Sequence, residues 1–81
     1  METRVAVIAI IIKNRETVSQ LNAILHTYAD YIIGRMGLPY LQKKVSIMSV
    51  AVDAPQDVIS ALSGKIGSLS GISVKTAYAD A

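Results

Sequence analysis

The run VAVIAIII, Val5 to Ile12, constrains this chain more than any other segment. It is continuously apolar and rich in β-branched residues, so it reads as a central strand buried on both faces. A bilayer crossing takes about 20 apolar residues, which this run does not reach. Nor does it read as a signal peptide, because Lys13, Asn14, Arg15 and Glu16 follow it with no small-residue cleavage site. A cytoplasmic location is the expectation. The rest of the chain must then supply cover for both sides of this strand.

Asn14 offers an N-cap with Glu16 in the first turn, and Val18, Leu21, Leu25 and Tyr28 recur at helical spacing, predicting a helix over Arg15 to Tyr28. Tyr31 to Met36 reads as a second strand. The stretch GLPYLQKK reads as its connection to a third strand, Val45 to Val52; Pro39 donates no ladder hydrogen bond, so the second strand should be peripheral and end near Gly37. Pro55 fits the first position of a second helix with Asp57 in its first turn, and Val58, Leu62, Ile66 and Leu69 form its apolar stripe. Gly64 and Gly67 weaken that helix, and Gly64 reads as a close backbone approach or an early helix end. Ile72 to Ala79 alternates as an edge strand. The order β-α-β-β-α-β is the ferredoxin-like α+β arrangement, a four-stranded antiparallel sheet with two helices on one face, read as a single domain over residues 1–81.

That architecture leaves a mismatch. Two helices shield one face, whereas Val5 and Val7 against Ala6 and Ile8, Ile10 against Ile11, and Val45 and Ile47 against Met48 and Val50 put apolar groups on both. Domains of about this size bury only about 60 to 65% of their unfolded surface, yet 52% of the residues are hydrophobic and the mean hydropathy is +0.44. A bare face would exceed the patch that monomers usually expose. The expectation is a homo-oligomer, dimer or tetramer, with Ile8, Ile10, Ile11, Met48 and Val50 at the interface.

Reactive chemistry is sparse. No cysteine is present, which excludes disulfides, thiolate nucleophiles and Cys-containing metal sites. His26 is the sole histidine and reads as a partly exposed helix residue, although an oligomer could repeat it with a carboxylate such as Asp30, one turn on. SGK, Ser63 to Lys65, lacks the remaining features of a phosphate loop. Ser60, Ser63, Thr27 and Tyr28 supply hydroxyls without a base and orienting acid, and Glu16, Asp53 and Asp57 read as capping or turn acids. Neither catalysis, nor a metal, nor any cofactor is expected. Eight basic residues against six acidic ones are scattered, and the central strands carry no aromatic, so nucleic-acid binding is disfavoured.

The segment YIIGRMGLPY, Tyr31 to Tyr40, has two readings. Structurally, Gly34 and Gly37 permit a bulge or close approach in an edge strand while Arg35 points to solvent. Functionally, glycine-exposed amides and Arg35, with Tyr31 or Tyr40 nearby, make an anion pocket at a subunit boundary; its candidate ligand-binding residues are Gly34, Arg35, Met36 and Gly37.

Taken together, YADYIIGRMGLPY, VSIMSVAVDAPQDVISALSGKIGSL and GISVKTAY resemble the iron-only hydrogenase system regulators, from about Arg4 to Tyr78. The resemblance implies an ACT-like domain, similar to the C-terminal effector-sensing domain of nickel-responsive regulators, that oligomerises. Those regulators bind metal through several histidines and a cysteine and carry a DNA-binding segment, none of which this sequence supplies. Two functions are consistent with this. One is a regulator that binds a small effector and acts through a protein partner of the hydrogenase system; the other is a ligand-free structural module for hydrogenase assembly.

Overall fold

The structure, a computed structural model, describes residues 2–79. Six main elements follow in order: β1 (Arg4–Ile12), α1 (Val18–Thr27), β2 (Ile32–Tyr40), β3 (Val45–Ala54), α2 (Gln56–Gly67) and β4 (Ile72–Tyr78), with 3₁₀ turns at Arg15–Thr17, Ala29–Tyr31 and Leu41–Lys43. The strands form one antiparallel sheet in the order β2-β3-β1-β4, so β1 and β3 are central and the arrangement is ferredoxin-like.

Strand alternation decides which residues reach the core. In β1 the even-numbered side chains Ala6, Ile8, Ile10 and Ile12 are buried, facing Leu21 and Leu25 of α1 and Ile59, Leu62 and Ile66 of α2. Ile8 pairs with Val50 and Ile10 with Met48, so β3 turns its own even-numbered residues to the same side. This corrects the expected interface. Ile8, Ile10 and Val50 are each 0% exposed beneath the helices, and Met48 packs against the same core. Of the five residues, Ile11 alone lies on the open side. Alternation in a strand that is apolar throughout says that neighbours diverge, but only the attachment of the helices settles which set they cover.

The helices begin by different means. Asn14 caps the first turn, its side chain accepting from the Glu16 amide at 3.0 Å, but that turn is 3₁₀ and the α-helix proper starts at Val18. Pro55 stands as the N-cap of α2 rather than as its first helical residue. The stripe of α2 holds Ile59 beside the expected Leu62 and Ile66, and the helix passes Gly64 without ending. A Cβ at Gly64 would meet nothing within 4 Å, so no close approach requires it.

β2 continues four residues beyond Met36, taking in Gly37 and Pro39. As the edge strand it tolerates the missing proline donor. Its pairing with β3 shifts register between Ile32 and Gly34, which leaves Ile33 63% exposed.

Candidate functional site

The register shift sets the phase of β2. Beyond it, Gly34, Met36, Leu38 and Tyr40 pair with Ala51, Ser49, Ile47 and Val45, while Arg35, Gly37 and Pro39 pair with Val50, Met48 and Ser46. Along the strand, the four residues read as one ligand site therefore alternate between the two sides of the sheet. Arg35 and Gly37 belong to the helix side, Gly34 and Met36 to the open side.

On the helix side, Ile32, Gly34 and Arg35 line a hollow of about 410 Å³ together with Asn22, Leu25, His26 and Ala29 of α1. Arg35 and His26, which sequence reasoning had treated separately, thus share one cavity. The link depends on α1 lying across the start of β2, and no spacing in the chain announces it. Neither Tyr31 nor Tyr40 lines the hollow. Tyr40 donates from its hydroxyl to Gln42 Oε1 at 2.8 Å, and the Tyr31 ring lies 6.4 Å from that of Tyr28. Among the described residues no cluster of three or more His, Cys, Asp or Glu side chains could hold a metal ion.

The hydroxyls have structural partners. Thr27 donates to the Ala23 carbonyl, Ser60 receives Gln56 Nε2, Ser63 and Thr76 share a hydrogen bond, and Lys65 lies 5.1 Å from the centre of the Tyr28 ring. None of these arrangements joins a nucleophile to His26.

The open side is apolar across three strands. Ile47 pairs with Leu38 on one flank and Ile11 on the other, making a continuous aliphatic row. Met36 is 66% exposed and Leu38 56%, with Val5, Val7, Tyr40 and Ile47 also well exposed. A shallow depression of about 300 Å³ is lined by Gly34, Arg35 and Met36 together with Ser49 and Ala51, so three of the four expected ligand residues share one concavity and Gly37 does not. Two charges border this side, Lys75 of β4 paired to Ala9 and Asp53 of β3 paired to Val5.

The family model described as "TM1266-like: Iron-only hydrogenase system regulator, putative" matches residues 4–76. The chain belongs to this family. It is similar over 98% of its length, at 31% identity and TM-score 0.93, to the whole of TM1266 from Thermotoga maritima, a protein described as uncharacterized. An unknown protein from Galdieria sulphuraria shares the fold at 18% identity and TM-score 0.66, over 99% of this chain and 47% of that one. No curated protein matches. Neither relative brings a ligand or a reaction to this member of the iron-only hydrogenase system regulator family. Among its described residues no helix is long and apolar enough to cross a membrane.

Proposed function

We propose that this family member is a cytoplasmic, non-enzymatic regulatory protein of the iron-only hydrogenase system that works as a homo-oligomer, takes a small effector, and acts through a protein partner. The observation carrying this reading is the unpartnered sheet face, where Met36, Leu38 and Ile47 are exposed together. Covering roughly 500 Å² on each of two copies reaches the ~1,000 Å² at which specific interfaces begin. At about 25 cal/mol per Å², that burial offsets much of the cost of association.

The effector is placed in the Arg35 hollow because β2 serves both sites. Its Met36 and Leu38 belong to the assembly face, while Arg35 lines the cavity on the other side. A ligand that holds β2 against α1 would favour one state of the assembly, which requires different affinities for the two states.

Light scattering on the wild type and on Leu38→Lys/Ile47→Lys tests the assembly. The wild type should be a dimer or tetramer, and the double variant a monomer with an unchanged circular-dichroism spectrum. A wild-type monomer at high micromolar concentration overturns the reading.

A further inference from the structure

A second hollow, of about 440 Å³, lies at the far end of β2 from Arg35. Lys13 and Arg15 enter it from the turn between β1 and α1, Pro39 and Leu41 from the end of β2 and the turn after it, and Lys44, Val45 and Ser46 from the start of β3. Three of these seven residues are cations and none is a carboxylate. In a chain whose net charge is only +2, gathering three positive groups around one concavity opposes self-repulsion and awaits a counter-charge. Lys44 adds a second peculiarity. It is the only non-glycine among the described residues with positive φ, at 55°, a conformation that costs a side-chain-bearing residue free energy.

The walls narrow the class of ligand. Pro39, Leu41 and Val45 are apolar, and Leu41 is 75% exposed, an unusual position for a leucine. A monocarboxylate would leave most of the positive charge unmatched. A phosphoryl group carries about −1.5 to −2 near neutral pH, with three strong acceptor oxygens. Arg15 supplies a planar fork and the lysines compact point charges, a combination suited to phosphate oxygens. A cavity of this volume falls within the range of small-molecule sites.

We infer that the hollow bounded by Lys13, Arg15 and Lys44 binds a small organic phosphate, of the charge and size of a nucleoside diphosphate, with its phosphates among the three cations and its apolar part against Leu41 and Pro39. This site is separate from the Arg35 hollow and does not depend on the function proposed for it.

Calorimetric titration and amide NMR shifts with ADP, pyrophosphate and malonate as probes test the inference at low salt. They are applied to the wild type, Lys13→Gln/Lys44→Gln and Lys65→Gln/Lys75→Gln. Both doubles remove two positive charges from exposed side chains, but only the first pair lines the hollow. ADP should bind the wild type more tightly than pyrophosphate or malonate does, with shifts centred on Lys13, Arg15, Leu41 and Lys44. The first double should weaken ADP about tenfold or more, as loss of charge-assisted hydrogen bonds predicts. The second should change it less than about twofold, as screened distant charges would. Absence of ADP binding overturns the site, as does equal weakening in the two doubles, malonate binding as tight as ADP, or a single-stranded oligonucleotide outcompeting ADP. Light scattering on the same samples keeps the result distinct from the assembly: loss of ADP binding in an intact oligomer bears on this hollow alone.

Discussion

Two glycines with opposite surroundings show what single residues contribute. Gly71 has φ +71°, and a Cβ there would lie 2.7 Å from the Asn14 Cβ and 3.1 Å from its amide nitrogen. Its carbonyl also accepts from the Lys13 amide at 2.7 Å, tying the α2–β4 turn to the end of β1 beside the point where Thr17 donates to the Ser70 carbonyl. Gly64 sits inside α2 with open space around it. Gly71→Ala should therefore destabilise the protein by about 2 kcal/mol or more, whereas Gly64→Ala should stabilise it by about 0.5 to 1 kcal/mol. Urea midpoints of the two variants check both signs. At this scale the sequence is a poor guide. SGK and SGI look alike on paper, and only the approach of Asn14, distant in the chain, makes one glycine obligatory.

Among elements, β1 gives the sharpest contrast. Ile8 is 0% exposed and its neighbour Val7 41%. Ile8→Lys would bury an unpaired charge at a cost of several kcal/mol. Against a total stability of about 5 to 15 kcal/mol, that should abolish the cooperative thermal transition. Val7→Lys should keep the fold and weaken only self-association; circular dichroism followed by sedimentation separates the two outcomes. The elements themselves were largely legible. The eight-residue apolar run named β1, the stripe Leu21 and Leu25 named α1, and the alternation after Ile72 named β4. Periodicity does not reveal which face a helix will choose, which is why four of the five expected interface residues, all but Ile11, lie on the helix side. Nor does a local rule about proline see that β2 runs through Pro39 because its outer edge is free.

For the whole molecule, the readable part was the surplus of apolar surface over what two helices can shield. The hidden part was the meeting of Arg35 with His26, and of Lys13 and Arg15 with Lys44, all brought together across the chain by sheet topology. If the Arg35 hollow takes an effector, a thermal-shift screen of amino acids, nucleotides and anions should yield at least one compound that raises the wild-type melting point. A ligand at 100 times its dissociation constant adds about 2.7 kcal/mol. Arg35→Gln should abolish that rise without lowering the unliganded melting point. A screen flat across all compounds removes the effector from the proposal.

The outer rim of β2 carries one more implication. A strand that slips register near Ile33 and sets Pro39 in its course is a poor template for lateral growth, and Lys75 alternates along the opposite rim on β4. If copies associate through their flat sides, with both borders blunted, they should stop at a small closed number instead of running on into fibres.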